Sequence, residues 1–277
     1  MIFKFLLLGL CSTICAEGWN HHDLKNLLEE YIEIDHNNHF SLSKNYEYVM
    51  IDVGLYKDAT QSQIWLETSD SLLILGFEPA NINWDSLSRN SPIIPGWFAK
   101  DLISSNHSLR KNSRIAQEWR KRFFPFKIAL GNSNQTTTTF YETKNHSACS
   151  SIYEPYQFPY SSYTVPIVPL RRILDFFPFE AYPVIDYIKI DAQGADLDIL
   201  KSMGHYLNER VICVTAEPEQ NAYKNTNNSI EEILHFMQQQ GFKRMKNSRV
   251  EDPTFVNKKF MNLFYEKRLN KIIYQEG

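Results

Sequence analysis

Three carboxylates stand where an apolar run stops. Asp52 lies in Tyr48-Val-Met-Ile-Asp-Val53 just before Gly54, Glu78 follows Leu72-Leu-Ile-Leu-Gly-Phe77, and Asp191 follows Ile185-Asp-Tyr-Ile-Lys-Ile190. In an open parallel sheet, ligands sit outside the carboxyl ends of the strands, at the point where the strand order reverses. A carboxylate closing the second such strand is placed to accept both hydroxyls of a ribose, which makes Glu78 a candidate nucleotide contact. Asp191 is a candidate general base, since a carboxylate at that end can take the proton of a reacting hydroxyl. The same residue type also caps turns and helices, and that role stays open for Asp191. Lys189 faces the opposite side of its strand from its two neighbours, where it pairs with a carboxylate or serves the fold.

Other candidate centres are weaker. His36-Asn-Asn-His39 has ligand-like spacing, but zinc needs three or four ligands and no third follows nearby, so no metal is expected. His21-His22 reads as a solvated pair at a helix start. No G-x-G-x-x-G or G-x-S-x-G segment occurs, which disfavours a nicotinamide dehydrogenase and a serine hydrolase of the elbow type.

The elements that must hold the carboxylates alternate in type. Leu24, Leu27, Leu28, Tyr31 and Ile32 repeat at three and four and predict a helix over 22–34. Strands are expected at 48–53, 72–75, 185–190 and 211–215, with a helix over 58–67 and another over 195–203 stopped by Gly204. Ser229 and Glu232 are spaced as a capping box for a helix that Gly241 closes. Residues 125–168 read as two or three strands around a Tyr/Pro loop, Tyr153 to Tyr163. This alternation implies an α/β fold with a mainly parallel central sheet and helices on both faces.

Composition bounds the function. The chain has 277 residues, net charge −3 and 43% apolar residues, among them 18 Phe, 15 Tyr and 5 Trp, enough for a large core. A mildly acidic balance argues against a nucleic-acid partner. The basic stretch Arg110, Lys111, Arg114, Arg120, Lys121, Arg122 reads as a solvated helix face. Only ten glycines occur, so a Gly-rich phosphate cradle is not expected. Phe5 to Ala16 is an apolar run behind Lys4, too short for the roughly 20 residues of a spanning helix, and fits a signal peptide ending at Ala16. No later run is long enough to span a membrane. Sequons at Asn106, Asn134, Asn145 and Asn227 agree with a secretory route, secreted or lumenal. Cleavage would leave Cys149 and Cys213, of which Cys213 sits in an apolar run and reads as a buried thiol. The expected organisation is a signal peptide (1–16), an N-terminal helical extension (17–47) and one domain (48–277).

In order along the chain, Ile51-Asp-Val-Gly54, Gly76-Phe-Glu-Pro79, Ala129-Leu-Gly131, Val168-Pro-Leu170 and Asp186-Tyr-Ile-Lys-Ile-Asp-Ala-Gln-Gly-Ala-Asp196 resemble the FkbM-type methyltransferases. Gly241-Phe242 and Asp252-Pro-Thr-Phe-Val-Asn257 resemble that family's later part, so the resemblance spans roughly 48–260. It implies a Rossmann-like class I methyltransferase fold, S-adenosylmethionine as cofactor, and methylation of a hydroxyl oxygen on a glycan or small molecule without a metal. Position by position, it implies cofactor contacts at Asp52, Gly54 and Glu78. Lys189 and Asp191 would fall in the block facing the methyl donor, and Ser150-Ser151 matches a serine pair ahead of it. One departure stands out. The family's first loop continues Gly-Ala-Asn with a second glycine, whereas this chain reads Gly54-Leu-Tyr-Lys-Asp-Ala59 and puts bulk where close approach or positive φ is wanted. Two functions remain open: a methyltransferase of the secretory pathway, and a methyltransferase-like secreted protein that kept the fold as an inactive binding or structural module.

Overall fold

In a computed structural model, residues 18–42, 45–90, 121–219 and 221–273 are described. The leader, the Asn106 sequon and the basic stretch up to Arg120 lie outside them.

Ten strands are defined among the described residues: β1 Tyr48–Val53, β2 Leu72–Phe77, β3 Phe123–Phe126, β4 Ala129–Leu130, β5 Thr137–Thr143, β6 Tyr160–Val168, β7 Ile185–Ile190, β8 Val211–Ala216, β9 Phe242–Arg244 and β10 Thr254–Asn257. The helices are α1 His21–Glu29, α2 Thr60–Thr68, α3 Asn81–Asn90, α4 Leu170–Leu174, α5 Asp196–Ser202, α6 His205–Arg210, α7 Ile230–Gln239, α8 Met261–Glu266 and α9 Leu269–Ile273. The main sheet runs β3-β2-β1-β7-β8-β10-β9. Its first five strands are parallel, and β10 is antiparallel to both β8 and β9. The order reverses between β1 and β7, so a crevice for a ligand falls between the ends of those two strands.

Parallel strands covered on both faces must be apolar on both faces. Val49, Ile51, Val53, Leu73, Leu75 and Phe77 enter one core with Leu24 and Leu28 of α1, Ile173 of α4, Ile199 of α5 and Ile233 of α7. Met50, Leu72, Ile74 and Tyr187 enter the other, with Trp65 of α2, Phe264 of α8 and Leu269 of α9. The expected strands and their helices thus form where the pattern puts them. The helix at 230 opens as the capping box requires, with Ser229 Oγ accepting from the Glu232 N–H at 3.2 Å. The segment expected as an extension packs into the main core: α1 buries Leu24 and Leu28, and Phe40 N–H donates to Phe176 O.

A second sheet, β4-β6-β5, stands beside the main one. It takes up the 125–168 region, and Tyr160 to Tyr163, expected in a loop, belong to β6 because they pair with β5 from Phe140 to Thr143. Arg122 corrects the reading of the basic stretch as a solvated face. Its side chain is buried, donates to Ser69 O and to Leu66 O (3.2 Å), and ties the start of β3 to the end of α2. Among the described residues, Cys149 and Cys213 are free thiols. Cys213 is buried on β8, where burial pushes its thiol far up.

Candidate active site

The ends of β1, β2 and β7 are stitched together before any side chain acts. Gly54 N–H donates to Phe77 O (3.0 Å), and Asp191 N–H donates to Val53 O (3.0 Å). Gly54 has φ +84°, and a Cβ there would lie 2.0 Å from Asp191 O. Only glycine permits that approach.

A cavity of about 350 Å3 opens at this junction, within the usual range of about 300–1,000 Å3 for small-molecule sites. Gly54, Glu78 and Asp191 line it, with Tyr56, Ile128 and Gln193. The second sheet covers it through Phe140 and Ile152, and the 3-10 turn Ser147–Cys149 adds Ser147. Of the five candidate residues, the fold brings these three to one cavity. Asp52 and Lys189 lie side by side in register on the other face of the sheet. There Asp52 is buried and accepts from Ser62 Oγ of α2 at 2.6 Å, while its Oδ1 has no hydrogen-bond partner. Burial raises its pKa, opposed by Lys189.

The first loop meets the conflict set by its sequence in an unexpected way. Tyr56 and Ala59 adopt φ +58° and +49° without being glycine. Left-handed backbone costs such residues roughly 1–2 kcal/mol each. Two features offset it. Leu55 turns away from the cavity and packs over Gly76, buried, worth about 1.5–3 kcal/mol. Glu78 reaches back and accepts the Tyr56 N–H at 2.8 Å, while its other oxygen accepts the Ala80 N–H at 2.8 Å. Burial pushes Glu78 up to about 7, against those two N–H donors. The carboxylate therefore holds the loop from inside the cavity, with Asn83 as a further hydrogen-bond partner.

The β7 end is held differently. Gln193 and Gly194 have φ +52° and +91°. Ser151 Oγ donates to Gln193 O (2.7 Å), and Tyr223 Oη donates to Gln193 Oε1 (2.9 Å). Ser150 Oγ accepts the Thr143 N–H, so the serine pair braces the turn and the strand beside it. Asp191 does not cap helix α5: Leu197 N–H goes to Asn228 Oδ1, and Ala192 N–H goes to Asp196. Instead Asp191 accepts Lys189 Nζ at 3.2 Å and Gln193 Nε2 at 2.8 Å.

Glu217, directly after β8 and absent from the strand-end acids expected above, stands beside Asp191, and the Gln193 amide donates to both, reaching Glu217 Oε2 at 3.4 Å. Burial, then the neighbouring Asp191, pushes Glu217 up to about 9. For Asp191, burial acts upward, but Lys189 and the hydrogen bonds from Glu217 and Gln193 outweigh it and leave it below the ordinary carboxylate value. Lys189 is pulled toward its neutral form by burial, yet Asp191 and Asp52 on either side keep its pKa raised. Asp196 completes the cluster, accepting Glu217 N–H at 2.8 Å, and burial pushes it up to about 7. The environment thus favours the charged form of Asp191 and the protonated form of Glu217.

His36 and His39 flank an Asp35 turn in which Oδ1 accepts the N–H groups of Asn37 and His39. Among the described residues, no cluster of three or more metal-ligating side chains occurs.

A mainly parallel sheet with its order reversing beside β1, an antiparallel β10 inserted next to β8, and a cavity at the reversal define a Rossmann-like methyltransferase fold. The sequence model described as "Methyltransferase FkbM domain" matches residues 30–244, and the chain belongs to that methyltransferase family. Among solved structures, a chain titled "Human methyltransferase 10 domain containing protein" is similar over 85% of this chain and 80% of its own, at 11% identity and a TM-score of 0.32. No curated protein matches the sequence. The family implies a cofactor of the S-adenosylmethionine type. The cavity suits such a group: Gly54 at its edge presents backbone without a side chain, and a buried carboxylate stands at the end of the second strand.

Proposed function

We propose that the protein is an S-adenosylmethionine-dependent O-methyltransferase of the secretory pathway, acting on a hydroxyl of a glycan or small molecule. The observation that carries this reading is the convergence of Gly54, Glu78 and Asp191 on one cavity at the strand-order reversal. The cofactor, when bound, supplies a methyl group already made electrophilic by its sulfonium. What remains for the chain is to hold, orient and deprotonate. Gly54 lets the backbone approach the ligand, and Glu78, at the end of the second strand, accepts ribose hydroxyls beside the donors it already holds. Ionised Asp191 receives the acceptor's proton, Glu217 keeps its own and donates only a hydrogen bond to Asp191, and Lys189 balances the charge. Exposed Asn134, Asn145 and Asn227 support the secretory part of the reading, because glycans there would be solvated.

A second reading rests on the first loop. Glu78 already spends a hydrogen bond from each oxygen on backbone, and exposed Tyr56 stands at the cavity wall. A fold retained without its cofactor, serving as a binding or structural module, would have the same loop. Calorimetric titration with S-adenosylhomocysteine separates the two. Micromolar binding, weakened at least tenfold by Glu78→Gln in a variant whose melting curve stays cooperative, supports the enzyme. No heat and no thermal shift at millimolar ligand rejects it. A mobility shift on glycosidase treatment of the protein from secreting cells checks the compartment, and its absence argues against secretion through a glycosylating route.

A further inference from the structure

A second cavity, of about 450 Å3, lies against the first. Asp191 and Glu217 line both, so the two cavities meet at this carboxyl pair. It opens on the Lys189 face of β7 and β8, and its polar lining includes Lys189, Thr215, Asn247, Arg249, Asp252 and Thr254. These come from β7, β8, β10 and the loop before β10, none of which contributes to the Glu78 side of the site.

The cation inside this cavity is already matched: Lys189 Nζ sits 3.2 Å from Asp191, while Arg249 is exposed at its rim, where its charge lowers the Asp252 pKa against burial and the Asp191 charge. Glu217 carries a proton near neutral pH. An anionic ligand would have to displace Asp191 from Lys189, and a cationic one would have to compete with that lysine. Neutral hydrogen-bonding capacity is what is left over. Thr215 Oγ1 and Thr254 Oγ1 are 2.8 Å apart, so one of the two hydroxyl protons serves their mutual bond and the other is available. The Asn247 amide offers a donor and an acceptor, and Gln61 offers the same from α2. Ile64, Ile190 and Ile273 supply an apolar fringe.

We infer that this second cavity is the acceptor site and takes a neutral polyhydroxylated molecule of the sugar class, whose reacting hydroxyl reaches the first cavity where the two meet at Asp191 and Glu217. The inference rests on the cofactor reading of the first cavity. A lipid acceptor would find too many polar groups, and a phosphorylated one would meet the Asp191, Asp252 and Glu217 carboxyl groups with the buried Lys189 already paired.

Saturation-transfer NMR on the full chain tests it without turnover. The probes are methyl α-D-mannopyranoside, methyl β-D-galactopyranoside and methyl N-acetyl-β-D-glucosaminide, with mannose 6-phosphate as the charged rival and catechol as the aromatic one, each with and without S-adenosylhomocysteine. At least one neutral glycoside is expected to respond. Asn247→Ala is expected to weaken that response several-fold while the S-adenosylhomocysteine titration stays unchanged. A response from mannose 6-phosphate or catechol alone overturns the inference, as does silence from all three glycosides in protein that binds S-adenosylhomocysteine. Glycoside binding in protein that ignores S-adenosylhomocysteine would uphold the sugar site and reject the cofactor reading. Silence from every probe rejects both.

Discussion

The two strand ends that meet at the reversal solve the same problem with different means. After β1, Tyr56 and Ala59 take left-handed backbone, and what holds them is one buried carboxylate and the packing of Leu55. After β7, Gln193 and Gly194 do so, and what holds them is a set of neutral hydrogen bonds from Ser151 and Tyr223. The first end spends a group that the proposed cofactor also needs. The second leaves its carboxylate, Asp191, free of backbone duty. Strain and ligand binding are therefore coupled at β1 and separate at β7, which places the adjustable part of the site at the first loop.

The largest test of this contrast is at the contact between the ends. Gly54→Ala forces a Cβ to within 2.0 Å of Asp191 O and is expected to cost about 3–5 kcal/mol, read from urea denaturation. A loss below 1 kcal/mol would mean that the ends can part. Next comes the clamp. Glu78→Ala leaves the Tyr56 and Ala80 N–H groups without their acceptor and is expected to cost about 2–4 kcal/mol, with Glu78→Gln recovering about half. Equal losses for both variants would show that charge, not acceptance, holds the loop.

The carboxyl pair gives a pH signature. Between about 4.5 and 9 native Glu217 keeps a proton that the unfolded chain has released, so its contribution to stability falls as pH rises through that window. Screening of this half-exposed group reduces the expected span to about 1–3 kcal/mol. Glu217→Gln should flatten the decline in melting temperature across that range, and an unchanged slope would place the proton elsewhere. On the β7 side, Ser151→Ala should cost about 1 kcal/mol and leave S-adenosylhomocysteine affinity within twofold, because the brace touches only backbone. The smallest effect is at Ala59, whose φ of +49° predicts that Ala59→Gly stabilises by about 0.5–1 kcal/mol in thermal melts. Destabilisation there would show that the loop carries no strain.

Much of this architecture is legible in the sequence, for a physical reason. Strands buried on both faces must be largely apolar, and β2 is unbroken while β1, β7 and β8 are interrupted only at Asp52, at Asp186 and Lys189, and at Thr215. The strand-end rule also reaches Glu78 and Asp191. Applied once more, it would have reached Glu217, since Ala216-Glu217-Pro218 repeats the form of Phe77-Glu78-Pro79. Asp52 shows the limit of the rule. Two-residue alternation puts it on the face of Met50, away from the cavity that Val53 and Gly54 border. The second cavity had no local signal. Its residues run from Gln61 to Ile273, and their meeting depends on β10 entering the sheet antiparallel beside β8. Arg122 likewise looks like any surface basic residue until the carbonyls of Leu66 and Ser69 close around it.

The docking of α1 has a consequence for how the chain is made. Trp19 Nε1 donates to Ile167 O at 2.7 Å, Arg172 reaches back to Trp19 O, and His21 stacks on Phe176 at 4.9 Å. Every one of those partners is translated about 150 residues later. During synthesis the first helix therefore has an apolar stripe and nowhere to bury it until β6 and α4 have emerged, so the earliest segment of the domain is among the last to lock. A ribosome paused near residue 140 would present Leu24 and Leu28 to chaperones, and one paused beyond 200 would not.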